Sequence, residues 1–496
     1  MIRIQTDTLR STIAGILLMS ATTAAVAAEG PTVLSEVTVT AERREASLQT
    51  TPVAVTALGG SELDRLQINS IRDLGTSTPS LGIAPNIASG SAITLSMRGN
   101  AEQNAAVLFS EGGVGLYVDG VYRRLTAAGF DLAEVERIEV LRGPQGTLFG
   151  RNTLAGAVNV ITKRPGDEFE GNVEAGYGAY QTSRLRAYVA GPLSGNWSAS
   201  LSAVYRDRSE GWMTDRISGK DVGTGDYFGG QGEVRYATDT FDASLKVFYA
   251  QASSDGVYAS PVAVNTLERA YSKHTDVASA SPTDGGKVVS PMTKNQQQGV
   301  DLNLSWNFGD MTLKSTTSYL DMPDDLWAVD FTAAQVAAFP PAGPYDAVPG
   351  TSGFFRKSTG DQEQFSQDLQ LSGTAGSLDW TAGLYYYEEK TNQTFQDWFA
   401  GGFFKAVPAV HHLDASSQAV YAQGRYAFTD RFSVVLGGRY TKDEKDLTGN
   451  KANGAGAPTD FASHDSFSRF TGKAGVEFKV SDTIFTEGKA IAAIRA

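Results

Sequence analysis

The chain has 496 residues, 53 of them Gly and none Cys, is 10% aromatic and carries a formal charge of −13 at pH 7. Without Cys there is no disulfide framework, no thiolate metal site and no thiol nucleophile. The acidic balance argues against a nucleic-acid partner, whose phosphates require a local excess of Lys and Arg.

At the N-terminus, Arg3 and Arg10 precede an apolar run over 13–19, and Val26, Ala27 and Ala28 offer small residues at a cleavable position. This pattern predicts a secretory signal peptide over 1–28, since a spanning anchor needs about 20 apolar residues. No later apolar stretch is long enough for a spanning helix, so the exported chain is either soluble in the periplasm or built as a barrel. Residues 29–49 read as a loose extension. Within it Glu36, Val37, Thr38, Val39, Thr40 and Ala41 (EVTVTA) alternate β-branched side chains, a pattern suited to adding as a strand to a partner's sheet edge. An ordinary strand of the following domain is the alternative.

Residues 50–165 mix short strands with helix starts and predict a compact α+β domain. N-cap patterns stand at 61–64 and 131–134, and Asp119-Gly120 predicts a tight hairpin because this pair tolerates positive φ. The stretch 141–162 (LRGPQGTLFGRNTLAGAVNVIT) places glycines at 143, 146, 150 and 156. No Gly-Lys-Ser/Thr follows and neither nucleotide fingerprint fits, so these glycines are read as serving tight turns and close backbone approach.

From about Phe169 the sequence alternates with period two in segments of about ten residues. Trp197, Ala199, Leu201, Ala203 and Tyr205 oppose Ser198, Ser200, Ser202 and Arg206, with Val204 as the exception on the polar face. Val300, Leu302, Leu304, Trp306 and Phe308 oppose Asp301, Asn303, Ser305 and Asn307, and Phe432, Val434, Leu436 and Tyr440 oppose Ser433 and Arg439. One face suits hydrocarbon and the other water. Twelve such segments are read before position 480, among them 311–321, 361–372, 378–388, 417–428, 432–443 and 468–479, and a thirteenth opens at Asp482. Short and long connections alternate, as they do at the two rims of an outer-membrane barrel.

Residues 135–165 (VERIEVLRGPQGTLFGRNTLAGAVNVITKRP) resemble the plug signature of TonB-dependent outer-membrane receptors of the siderophore type. Residues 93–99 (ITLSMRG) and 115–121 (GLYVDGV) look like the two earlier plug motifs, and 36–41 looks like the TonB box. The resemblance implies an antiparallel membrane β-barrel, 22-stranded in the family, with the α+β plug of 50–165 in its lumen and 166–496 forming part of the wall. Alternation is expected to fail after Phe485, with 487–496 read as out of frame, so that only 12–13 strands are present and the chain reads as C-terminally truncated. A truncated chain of this kind can be an inactive receptor.

The resemblance further implies that residues 36–41 bind TonB, which acts with its inner-membrane energising complex. It also implies that Arg98 and Arg142 lock the plug to wall carboxylates, with simple solvation of the periplasmic face as the alternative. Gly99, Gly143, Pro144, Gly146, Gly150 and Asn152 fall in its plug motifs. Active transport across the Gram-negative outer membrane follows, with surrounding lipid and an extracellular ligand as partners. A ferric siderophore is the first expectation; haem, cobalamin, nickel chelates and oligosaccharides are alternatives carried by the same family. A passive porin has no use for residues 36–165, and a receptor that also signals needs a further domain ahead of Glu36. His274, His411, His412 and His464 are too scattered for a metal site, and the chain carries no catalytic motif and implies no cofactor. The aromatic pairs at 354–355, 398–399 and 403–404 are read either as ligand contacts or as part of the upper membrane girdle.

Overall fold

The structure is a computed structural model, and it describes residues 38–40, 42–44, 46–48, 51, 53–86, 89–101, 111–123, 134–215, 221–255, 257–258, 275–277, 283–284, 287–288, 293–330, 354–399, 404–405, 407–451, 458–479 and 485–490. The expected signal peptide therefore lies outside the described residues.

The N-terminal part opens with β1 (Thr38–Val39) and β2 (Ala46–Ser47), an antiparallel pair. It continues through β3 (Val55–Gly59), α1 (Gly60–Arg65), β4 (Leu81–Asn86), β5 (Ser89–Met97), β6 (Val114–Val118), β7 (Val121–Arg123), β8 (Val135–Arg142) and β9 (Gly156–Thr162). Its five-stranded sheet has the order β3-β8-β9-β6-β7, with only β9 and β6 parallel. Strand β9 (GAVNVIT) is a nearly continuous buried run, as befits a strand covered on both faces. Its Val158 joins the fully buried Ile138, Val140, Leu95 and Leu74 in the plug core.

Local signals were read with mixed success. Asp119 (φ 50°) and Gly120 (φ 81°) form the expected tight turn, with Val118 opposite Val121. Helix α1 begins at Gly60 with Gly59 as its N-cap and no side-chain cap, so Ser61 is a helical residue and not the cap expected of it. The cap position falls on Gly59, the extended last residue of β3, two places ahead of Ser61. A true capping box sits instead at Ser70 and Asp73, ahead of the 3-10 turn Ile71–Thr76. Of the second expected helix start, only Glu134 is among the described residues.

The wall is one large sheet whose main path runs in sequence order. Its strands are β10 (Glu170–Gly178), β11 (Thr182–Ser194), β12 (Trp197–Arg208), β13 (Gly225–Ala237), β14 (Phe241–Ser254), β15 (Thr293–Phe308) and β16 (Met311–Asp330), then β17 (Phe354–Ala375), β18 (Leu378–Phe399), β19 (Ala409–Thr429), β20 (Phe432–Lys451), β21 (Thr459–Lys479) and β22 (Phe485–Ala490). Each neighbour pair is antiparallel. The predicted faces hold: Trp197 and Leu201 are exposed while Ser198 and Ser202 are buried. Val204, the exception on the polar face, packs inward against Tyr227, Ala250, Leu320 and Met322. Near the short turns, outward aromatics touch in series across four adjacent strands, with ring centroids 5.0 Å apart for Trp197 and Tyr236, 6.4 Å for Tyr236 and Phe241, and 4.7 Å for Phe241 and Trp306.

Two expectations about the wall need correction. The strands outrun the predicted segments: β18 has 22 residues where alternation marked only 378–388. At about 3.3 Å per residue such a strand far exceeds a hydrocarbon core of about 30 Å, even when tilted. Its outward residues beyond Tyr386 are Glu388, Lys390 and Asn392, so apolar alternation stops where the strand leaves that thickness. Nor does the sheet end where alternation fails. Residues Phe485–Ala490 pair with β21, Phe485 opposite Lys479 and Ala490 opposite Ala474, because backbone pairing does not require an apolar face.

Candidate functional site

The segment after β1 is bound on two sides at once. Val39 is wholly buried beside Tyr117, Leu141 and Phe149. Thr40 donates its N–H to the Glu139 carboxylate at 2.8 Å, and its hydroxyl lies 3.1 Å from both carboxylate oxygens. Glu139 is itself fully buried on β8, where it also accepts from Arg137 Nε at 2.8 Å. Glu42, Arg43 and Arg44 reach the wall. Glu42 accepts from Lys473 (2.9 Å) and Gln423 (3.0 Å), Arg43 pairs with Asp368 (2.8 Å), and Arg44 lies 3.4 Å from Asp379. The Arg43 guanidinium also stacks 4.8 Å from the Phe149 ring centroid, and Tyr421 donates to the second oxygen of Asp368 at 2.9 Å.

Further polar bonds join plug and wall. Arg123 donates to Asp301 (2.7 Å) and Ser318 (3.2 Å), and Ser318 closes the triangle by donating to Asp301 (2.6 Å). Lys246 lies 2.5 Å from both Asp119 and Thr162. Arg164 donates to Asp242 at 2.8 Å. Glu111 pairs with plug Arg151 and, at 3.0 Å, with wall Lys445. Burial alone would raise the Glu111 carboxyl, but Arg151 and Lys445 outweigh it and hold the group at about 2. Asp119 follows the same balance: burial opposes the charge, Lys246 and Thr162 favour it, and the net shift is downward.

The residues singled out from sequence are only partly brought together. Thr38, Val39 and Thr40 sit at this double contact, while Glu36, Val37 and Ala41 lie outside the described residues. Arg98 (φ 51°) is exposed in a turn, and Arg142 is half-buried at the end of β8 with its Nε unbonded. Among the described residues neither has a carboxylate partner, so the expected lock is not seen there. The plug–wall ion pairs are made instead by Arg43, Arg44, Arg123, Arg164, Arg186, Lys246, Lys445 and Lys473. Arg98 instead approaches Gly143, where an added Cβ would stand 3.1 Å from its guanidinium.

The remaining motif residues shape two turns, Gly99 the one after β5 and the others the loop after β8. Gly99, Gly143, Gly150 and Asn152 have positive φ. At Gly150 an added Cβ would also come within 2.8 Å of wall Arg439. Pro144, Gly146 and Asn152 line a cavity shared with Gln423 and Lys473. His411 packs between the rings of Phe395 and Phe461, His412 bonds Asn392 at 2.6 Å and His464 bonds Asp446 at 2.7 Å. His274 and the side chains of the aromatic pairs at 354–355, 398–399 and 403–404 lie outside the described residues. Sequence reasoning missed Glu42, Arg43 and Arg44, although a charged triplet directly after an apolar alternation was the available signal.

Comparison with known proteins adds a second line. The family described as TonB-dependent Receptor Plug Domain matches residues 47–157. The family described as TonB dependent receptor-like, beta-barrel matches 235–492, just over half of the chain. A pesticin receptor of Yersinia pestis is 23% identical over 419 residues, 83% of this chain and 56% of its own length. A ferric-pyoverdine 358 receptor of Pseudomonas putida is 31% identical over 160 residues, 32% of this chain and 19% of its own length. The chain thus spans little more than half the length of the pesticin receptor it matches. Among solved structures, the ferric yersiniabactin uptake receptor FyuA from Yersinia pestis superposes with a TM-score of 0.73 at 20% identity, over 87% of this chain and 63% of that one. The ferripyoverdine receptor of the Pseudomonas aeruginosa outer membrane, bound to ferripyoverdine, gives 0.66 at 18% identity, over 90% and 57%. At such identities the superpositions establish the fold.

Proposed function

The chain belongs to the TonB-dependent receptors, and from that premise we propose that it imports a ferric siderophore across the outer membrane of a Gram-negative bacterium. In this reading the outward apolar face of the wall meets lipid, the ligand arrives from the side of the long connections, and TonB draws on residues 36–41. The chemistry is binding and movement, with no covalent step.

One observation carries the reading: Thr40, Glu42 and Arg43 hold plug and wall together, through Thr40 to Glu139 and through Glu42 and Arg43 to Lys473 and Asp368. A pull on this segment acts on both bodies at once. Pairing of β1 with β2 occupies one edge of Thr38–Val39, so TonB gains a strand partner once this small hairpin opens. The siderophore receptors among the relatives support an iron chelate as cargo.

The test compares binding and uptake of labelled ferric siderophores in iron-limited cells. Proline at Thr38 removes a backbone donor and is expected to abolish uptake while binding at the surface persists. Uptake unchanged by that proline removes TonB coupling through this segment. Binding of haem, cobalamin or an oligosaccharide in place of every ferric chelate removes the siderophore assignment.

A further inference from the structure

Two cavities lie one above the other along the inner face of β13, β14 and β15, where plug meets wall. The lower, of about 460 Å³, is nearer the short turns and is lined by plug Asp119 and Arg137 and by wall Glu233, Arg235 and Ser244. The upper, of about 130 Å³, is lined by plug Arg123 and Thr162 and by wall Gln231, Gln297 and Asp301. One side chain borders both cavities and also bridges plug to wall at that level: Lys246. Its ammonium lies 2.5 Å from Asp119 on the lower side and 2.5 Å from Thr162 on the upper side. Lys246 is 5% exposed, buried where the two cavities adjoin.

The lower space is mostly polar, whereas the upper is walled largely by Leu116, Val118, Val160 and Phe248, with its polar groups set among them. The Gln297 Oε1 on the upper cavity and the Glu233 Oε2 on the lower are buried without a hydrogen-bond partner, which suits a hydrated seam better than a dry one. Asp119 stands at the tip of the tight turn between β6 and β7, so its carboxylate moves with the plug while Lys246 moves with the wall. Displacement of one body against the other parts this bridge directly.

We propose that the seam between the plug and β13–β15 is the route by which solute passes the plug, and that Lys246, held by Asp119 and Thr162, is its constriction. The proposal rests on the transport reading, since it assigns the route of that transport. In the closed form the two cavities hold water and small solutes; a larger chelate passes only after the bridge has parted.

The absence of native Cys allows a direct test with Gln231→Cys in the upper cavity and Ser305→Cys in the lower. Inverted outer-membrane vesicles expose the periplasmic face to a sulfonate-bearing methanethiosulfonate reagent. Ser305→Cys, half-buried on the lower cavity, is expected to label rapidly in every background. Gln231→Cys is expected to label slowly with Lys246 present, on the order of tenfold faster with Lys246→Ala, and slowly again with Lys246→Arg. Should Lys246→Ala fold poorly, as altered protease protection of the plug would reveal, Asp119→Asn makes the same comparison without removing a side chain. Equal labelling of Gln231→Cys with and without the bridge overturns the constriction. The second readout is Gln231→Cys labelling in cells during energised uptake: acceleration supports the route, and an unchanged rate while a chelate is imported overturns it. If no chelate is imported at all, the transport reading fails, and the vesicle measurement still decides the constriction.

Discussion

Replacing Asp301 by Ala leaves the Arg123 guanidinium in a plug–wall contact where the two side chains are only 6% and 1% exposed. Three bonds close this triangle, and two of them end on the Asp301 carboxylate. Removing one member of a buried ion pair costs about 3–5 kcal/mol, because the surviving charge stays desolvated without its counter-charge. Asp301→Asn keeps the shape but turns charge-assisted bonds into neutral ones, a loss of about 1–2 kcal/mol. Arg123→Met with Asp301→Leu removes both charges and should recover most of the loss, since an apolar replacement of such a pair is often neutral or stabilising. The assay is a double-mutant cycle on the denaturant midpoint for loss of plug protection from protease, in the membrane-inserted protein. A coupling below about 0.5 kcal/mol between positions 123 and 301, the level of independent sites, would refute the claim that this triangle orders the plug.

Gly150→Ala combines a backbone at φ 82° with a Cβ within 2.8 Å of Arg439, and is expected to destabilise plug docking by about 1–3 kcal/mol, read from the same protease midpoint. The Glu111 carboxyl is depressed from 4.5 to about 2, so its contribution is fully present above about pH 4.5 and is lost as pH falls toward 2. The stability difference between the native chain and Glu111→Gln should therefore be flat from pH 7 to 5 and shrink below that; a difference vanishing near pH 6 contradicts the Arg151 and Lys445 pairing. Leu201→Arg places a charge on the outward face, where Leu201 is 61% exposed, and should cost about 2–4 kcal/mol in a bilayer near its midplane. The same change costing nothing in membrane-inserted protein denies that face to lipid.

The wall was legible in the sequence wherever its outward face is apolar. Trp197, Leu201, Leu302 and Leu436 stand on the face the alternation assigns them, because period two fixes which side every second residue takes. Above the aromatic level the outward residues become Glu388, Lys390 and Asn392, no contrast between faces survives, and the strands continue unannounced. The plug motifs marked the loop after β8 correctly but not its contacts. Arg123 and Asp301 are 178 residues apart, Arg43 and Asp368 are 325 apart, and each wall carboxylate reads along its own strand as one more polar residue of a wet face. Periodicity reports the face a side chain occupies. Which partner it meets there depends on how deeply and at what rotation one body sits inside the other, and no local pattern encodes that.

The chemistry of the plug–wall contact also bears on why these partners are charged. An interface of interlocked apolar side chains gains free energy with every buried area and resists separation throughout. Buried ion pairs roughly break even against such packing, yet each is sharply directional and punishes a wrong register. The contacts made by Arg43, Arg123, Arg164 and Lys246 therefore fix the plug in one orientation without adding adhesion in proportion to their number. A body that must be held in register and still be drawn aside is served by that balance. Polar wall residues such as Glu233 and Gln297 line the adjoining cavities and can solvate the charges once they part. Replacing several of these pairs together by matched apolar residues is thus expected to leave the plug at least as stable and harder to displace, so that thermal stability and uptake move in opposite directions.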